Sequence, residues 1–349
     1  IRKSSSSQCF PFSDTTKETL DIIYYSFIVP KSDGSVSFQD ASYMKEVREL
    51  RNHNVRIIGC VNGVGSDTSQ AFKTITASSS LRAKFVNNLM NLVEQYNLDG
   101  LDLDWEAVSE SLTPVASQYN LLCEELRNEM NKRQDEGGTP YLLTMAVPAS
   151  SYGTAEDRFD FKTLNKYLDY INIMSYDLNN SAKTTHLSPL YTSSYDNGYG
   201  FSATYGVSRI SSLGFDKNKL IIGCAGYGKA YKVTSSSGAY PALGTSGTLT
   251  KISGYDGSFA SGTVYGSVIN QLINSGKYTL YTEKTKTGLV VGSYLYSSTD
   301  KIFITFDSKE AVMAKYEYAY ENGLGMMCWA YTEDTSDTVI NAIYEAKNK

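Results

Sequence analysis

Residues 98–106 read Leu-Asp-Gly-Leu-Asp-Leu-Asp-Trp-Glu. Spaced two apart, Asp102, Asp104 and Glu106 fall on one face of an extended strand, with Leu101, Leu103 and Trp105 on the other. Same-face side chains repeat about 6.6 Å apart along a strand. Three carboxyls at that spacing cannot all ionise cheaply in a buried site. Mutual repulsion must raise at least one pKa, so a proton is shared. Acidic residues are depleted in strands, so such a row points to chemistry, either a divalent metal or proton transfer. A metal would want oxygen ligands from several strands, and Asp177 is the main carboxylate the other strand ends offer. The row therefore favours a proton relay with no metal and no cofactor. Asp102 and Asp104 share a proton, and Glu106, partly desolvated, keeps its own near neutral pH and acts as general acid. Asp99 breaks the parity beside Gly100 and reads as a turn residue that ties down the strand entrance.

The flanking pattern says what must position this row. Apolar strand-like runs cover Asp21–Val29, Val55–Val61, Tyr141–Val147, Tyr170–Tyr176, Lys219–Cys224 and Leu324–Tyr331. Between them lie helical patterns at Tyr43–Asn52, Ser79–Asn97, Val115–Arg133, Phe161–Leu168, Gly200–Leu213 (with Gly214 as C-cap), Ser308–Glu321 and Thr335–Lys347. Strands alternating with helices imply a parallel sheet covered by helices, and seven or eight strands favour a (β/α)8 TIM barrel. In such a barrel the site lies at the carboxyl ends of the strands, with Glu106 outermost and Asp102 deepest. The rhythm breaks from about Tyr231 to Lys301, where Ser/Gly clusters surround short β-like runs (Leu289–Val291, Ser293–Tyr296) and a helix at Ser267–Asn274. This reads as a small α+β insertion between strand 7 and helix 7. The expected organisation is barrel over 1–230, insertion over 231–306, and barrel again over 307–349.

The 349 residues carry a net charge of −5 and no basic stripe, which argues against nucleic acid as a partner. No apolar run approaches the roughly 18 residues needed to span a bilayer. The chain begins at Ile1 rather than Met, so a processed piece is expected, its signal peptide removed and its location extracellular. Cys9, Cys60, Cys123, Cys224 and Cys328 fit neither a zinc site nor a disulfide framework and read mostly as buried small hydrophobes. The two histidines, His53 and His186, suggest no metal centre. The 28 tyrosines suit sugar rings as well as cores, and most read as half-buried packing.

Asp99-Gly-Leu-Asp102-Leu-Asp104-Trp-Glu106 resembles the DxxDxDxE signature of glycoside hydrolase family 18, the chitinase family. Other landmarks follow in order. Ala146-Val-Pro148 resembles the AxP of the fifth strand, and Met174-Ser-Tyr176-Asp177 the MxYD of the sixth. His186–Tyr191 looks like the loop after it, and Gly223-Cys-Ala-Gly-Tyr227-Gly-Lys229 is similar to the seventh-strand GxPxYGR. Ser293–Tyr296 and Phe303–Asp307 resemble the closing strands of the family's insertion, and Trp329 stands where an eighth-strand tryptophan is kept. The resemblance implies a secreted, monomeric chitinase acting on chitin or chito-oligosaccharides, with retention and substrate-assisted catalysis. It assigns Glu106 as acid, Asp104 as partner of the substrate acetamide, Asp102 as proton store and Tyr176 as donor to the acetamide carbonyl. Asp177, Trp329, Met174, Tyr227, Phe27 and Ala146 are implied to bind substrate, Trp329 as the floor under the sugar. The rival readings are an endo-β-N-acetylglucosaminidase on N-glycans and a non-catalytic chitin-binding lectin.

The chain departs from the pattern in places. Ala107-Val108 stands where an aromatic often follows the acid, Cys60-Val-Asn62-Gly63 replaces SxGG, Gly226 replaces a larger residue and Lys229 replaces Arg. A first strand is not legible; Ile1–Lys3 is too short, which places part of that strand upstream. Trp105 is expected to pack away from the acids. Asn179-Asn-Ser181 is a glycosylation sequon, expected to be unused because a glycan there would crowd the cleft.

Overall fold

The computed structural model describes residues 11–349 except 108, 135–137, 152, 153, 180, 181, 197 and 235. Residues 1–10, with Ile1–Lys3 and Cys9 among them, lie outside the described residues, and so does the expectation about a first strand. The strands are β1 (Ile22–Pro30), β2 (Val36–Phe38), β3 (Arg56–Asn62), β4 (Gly100–Asp104), β5 (Leu142–Pro148), β6 (Tyr170–Met174), β7 (Leu220–Ala225), β8 (Tyr227–Val233), β9 (Gly247–Leu249), β10 (Thr263–Tyr265), β11 (Thr279–Lys284), β12 (Val290–Ser297), β13 (Ile302–Phe306) and β14 (Gly325–Trp329). The helices are α1 (Asp14–Thr19), α2 (Met44–Arg48), α3 (Ser66–Thr76), α4 (Ser79–Tyr96), α5 (Ala116–Arg133), α6 (Phe161–Leu164), α7 (Ala203–Ser212), α8 (Gly266–Asn274), α9 (Lys309–Asn322) and α10 (Thr338–Lys347). Two compact units are present, one of residues 11–172 and 209–220, the other of 173–208 and 221–349.

In the first unit β1, β3, β4 and β5 run parallel, and β2 folds back antiparallel on β1. Every residue of β4 is buried, as expected of a strand covered on both faces. Behind it runs a chain of rings. Phe72 stacks on Trp105 at 5.1 Å, Trp105 meets Tyr119 at 6.1 Å, and Tyr119 meets Phe159 at 5.1 Å. Trp105 is thus packing, and its Nε1 donates to the Leu112 carbonyl at 3.1 Å. Phe72 comes from α3, an element absent from the sequence expectations. Its buried stripe is half polar (Thr68, Ser69, Thr76), so apolar periodicity hides it. Asp99 ties the entrance of β4 as expected: its Oδ2 accepts from the Ile57 N–H at 2.6 Å and from Arg51 Nη2 at 2.8 Å.

In the second unit β7 and β14 pair in parallel, with Cys224 opposite Cys328. Between β7 and α9 the chain builds an antiparallel sheet, ordered β10-β8-β13-β12-β11 with β9 on β8. Alternate residues of its strands feed two cores. Ala230, Leu295, Ile304 and Phe306 pack with α8 residues Val268, Ile269 and Leu272. Tyr231, Tyr294, Tyr296 and Phe303 pack on the other side. Both faces are covered, so the polar alternation that marks a half-exposed strand is missing. That is why β12 reads in sequence as two fragments. Tyr231, Tyr278, Tyr294 and Tyr296 are buried here, while Tyr240, Tyr255, Tyr265 and Tyr281 are half-buried. β8 begins at Tyr227, so the Gly223–Lys229 motif is divided between β7 and this sheet.

Candidate active site

Asp102 and Asp104 project from β4, opposite Cys60 and Asn62 of β3. Asp102 lies opposite Thr144 of β5. The Thr144 hydroxyl and Asn172 Nδ2 both donate to Asp102 Oδ1, the latter at 3.1 Å. Burial pushes the Asp102 carboxyl up to about 6, although these two donors favour its charge. Asp104 is raised well above the ordinary carboxylate range by burial and by the charges of Glu106 and Asp102. Its Oδ1 is buried and has no hydrogen-bond partner among the described residues. Tyr24 also borders this group, and burial with the Asp102 charge raises its phenol.

β4 ends at Asp104, two residues short of the extent read from the sequence. The Glu106 N–H turns back to the Asp104 carbonyl at 3.2 Å, which breaks the extended repeat. Gly63 N–H donates to that same carbonyl at 2.8 Å, and Ser69 Oγ reaches the Glu106 carbonyl at 3.4 Å. Glu106 is half-buried and lies off the strand, yet its charge still acts on Asp104. The order of the three acids along the chain survives; their placement in one regular row does not.

The pair makes the folded state a proton binder. Both folded pKa values exceed the ordinary 3.8, so their stabilising contribution is full below about pH 4. It is lost as pH rises, through about 6 for Asp102. Asp102→Asn is therefore expected to gain stability relative to the parent between pH 4 and 7, read as the difference in urea midpoint. A difference that does not change with pH would contradict the raised carboxyl.

Four of the other implied residues share one cluster: Met174, Tyr176, Tyr227 and Trp329 pack with Leu187 and Ala225. Tyr176 follows β6 and is 9% exposed; Trp329, at the end of β14, is half-buried. Asp177 is exposed and left-handed at φ 54°, a conformation that short acidic side chains tolerate. The Tyr227 hydroxyl is buried, and burial raises it, with the neighbouring Asp177 charge adding to the effect. Lys229 stands 5.5 Å over the Tyr227 ring. Gly226 has a steric reason: a Cβ there would lie 2.6 Å from the Ala330 carbonyl oxygen. Phe27 is half-buried on β1, and Ala146 is buried on β5, two residues beyond Thr144. The Asn179 amide donates to the Tyr231 hydroxyl; Asn180 and Ser181 of the sequon lie outside the described residues.

The profile described as Glycosyl hydrolases family 18 matches residues 3–334, nearly the whole chain. The chain belongs to this family. Among its relatives, "Probable chitinase 2" of Drosophila melanogaster is 28% identical over 322 residues, covering 89% of this chain and 63% of that protein. "Chitinase A1" of Niallia circulans is 28% identical over 319 residues, covering 87% and 44%. The chain thus spans about half to two thirds of the length of these relatives. Among solved structures, the Group IV chitinase of Ostrinia furnacalis superposes with a TM-score of 0.81 at 23% identity, over 99% of this chain and 98% of that one. The fold is the (β/α)8 barrel of family 18. No helix among the described residues is long and apolar enough to cross a membrane.

Sequence reasoning missed Thr144 and Asn172. A signal existed. Each precedes by two residues a position already assigned to the site, Ala146 and Met174, so each shares that strand face. Each is also a polar residue in the middle of an otherwise apolar strand, where it needs a partner.

Proposed function

We propose that the protein is a chitinase, hydrolysing β-1,4 links between N-acetylglucosamine units in chitin and chito-oligosaccharides. The names of its relatives support this substrate class. The observation that carries the reading is Asp104, a buried carboxyl between two other acids, with one oxygen unpartnered among the described residues. Family 18 catalysis is substrate-assisted and needs no carboxylate nucleophile. Glu106 gives its proton to the glycosidic oxygen as the bond to the anomeric carbon breaks. The carbonyl oxygen of the substrate's own acetamide attacks that carbon, forming an oxazolinium. Water, deprotonated by Glu106, opens it, and configuration is retained.

Asp104 orients the acetamide and balances the oxazolinium charge, while Asp102 holds the proton that Asp104 gives up. Tyr176 donates to the acetamide oxygen, Asp177 binds the sugar at the cleavage point, and Trp329 offers its face to that ring. Met174, Tyr227, Phe27 and Ala146 complete the binding set. The proposal extends to a secreted monomer with residues 231–306 as a subdomain inserted between 1–230 and 307–349. The test is proton NMR of a chito-oligosaccharide digest, which follows the anomer formed first. The β-anomer is expected. An α-anomer, oligosaccharide binding without hydrolysis, or a preference for N-glycan cores would each overturn the reading.

A further inference from the structure

Lys315 of α9 is completely buried, with Asp307 at 1% exposure beside it. Its Nζ donates to both Asp307 carboxylate oxygens at 2.8 Å, to Ser188 Oγ at 2.5 Å and to the Gly223 carbonyl at 3.4 Å. A buried ion pair is a poor device for stability, because desolvation offsets the attraction and an apolar pair of similar size often serves as well. What distinguishes this one is where its partners lead.

Ser188 Oγ passes a hydrogen bond to the Ser175 carbonyl at 2.7 Å. Ser175 immediately precedes Tyr176, and its hydroxyl exchanges hydrogen bonds with Gly223, accepting from N–H at 2.8 Å and donating to C=O at 3.0 Å. The Tyr176 ring lies against Gly223, where an added Cβ would stand 2.7 Å from Cε1. On the other arm, Asp307 Oδ2 accepts from the Ala225 N–H at 2.8 Å, two residues before Tyr227. Each arm from the ammonium thus ends on backbone that carries an aromatic residue of the candidate site. None of these bonds belongs to a helix or a sheet ladder; Ala225 and Tyr227 are also held by strand pairing with Trp329 and Tyr265, whereas Ser175 and Tyr176 lie beyond the end of β6, where no ladder supplies the restraint.

We propose that Lys315, with Asp307, is a positioning residue for Tyr176 and Tyr227. It holds the Ser175–Tyr176 and Ala225–Tyr227 backbone so that the Tyr176 hydroxyl meets the substrate acetamide. The inference rests on the reading that Tyr176 donates to that acetamide during the reaction. Misplacing it lowers kcat rather than raising KM, because the contact tightens in the transition state.

The test uses the full chain and the double variant Lys315→Met/Asp307→Leu, which removes both charges at similar volume. It is expected to keep a Tm near the parent's, to lose about tenfold or more in kcat and to change KM little. Ser188→Ala breaks one arm and keeps the ion pair; it covers the case in which the double variant does not fold. It is expected to lose about fivefold in kcat at an unchanged Tm. In a Tyr176→Phe background both losses should largely disappear, since the group being positioned is gone. Folded variants with parental kcat, or losses that persist undiminished with Tyr176→Phe, overturn the inference. A parent chain without turnover of chito-oligosaccharides would instead overturn the chitinase reading.

Discussion

Glu106→Gln is expected to lower kcat on a fluorogenic chitotriose substrate by about 10²–10⁴-fold, with KM within a few-fold of the parent's. Glutamine keeps the shape and the hydrogen-bonding oxygen but has no proton to give. Glu106 is half-buried and lies beyond the end of β4, and glutamine keeps its volume. Circular dichroism and Tm should therefore stay close to the parent's, which separates lost chemistry from lost structure. The size of the loss should also follow the leaving group. A substrate whose aglycone departs as a stable phenolate needs less protonation and should be hydrolysed with a smaller deficit than an oligosaccharide. Equal rates for parent and variant would sink the assignment of Glu106 as acid.

Asp104→Asn is expected to cost kcat about 10²-fold or more while oligosaccharide Kd stays nearly unchanged. Its carboxyl is buried, and one oxygen has no partner among the described residues. Asparagine fills the same space without the negative charge that balances an oxazolinium. The loss therefore falls on the transition state and not on ground-state binding. Isothermal titration with the doubly substituted Glu106→Gln/Asp104→Asn chain would show the retained affinity. If binding and turnover fall in proportion, Asp104 is a binding residue. A second signature is the pH profile. Asp104 and Glu106 repel, so removing one charge should move the basic limb of kcat/KM, which reports the coupled acids together, to lower pH.

The acidic motif was legible because its spacing is a local property. Alternating Leu and Asp specify a strand and its two faces whatever surrounds them. The barrel rhythm was legible for a similar reason, since helices such as α4 and α5 repeat apolar residues along the chain. The resemblance then attached roles to residues that spacing alone left open between metal and proton chemistry.

What the tertiary structure decided was who meets whom. Thr144 and Asn172 reach Asp102 from β5 and β6, 42 and 70 residues away in the chain. That encounter is set by strand register, which no local pattern carries. β4 stops at Asp104 because the Glu106 N–H closes on the Asp104 carbonyl, a choice made among backbone partners. Tyrosine by type suits a sugar ring as well as a core, and packing against the inserted sheet is what buries Tyr231 and Tyr294. Lys315 falls on the buried stripe of α9 with Ala311, Val312 and Ala319. Its charge there makes sense only once Asp307 and Ser188 are folded against it. The sequence by itself determined the carboxylates, their order and the barrel that carries them, because these follow from side-chain type and short-range period. The protonation of Asp102 and Asp104, and the network behind Tyr176, were decided by burial and by contacts distant in the chain, which exist only in the folded state.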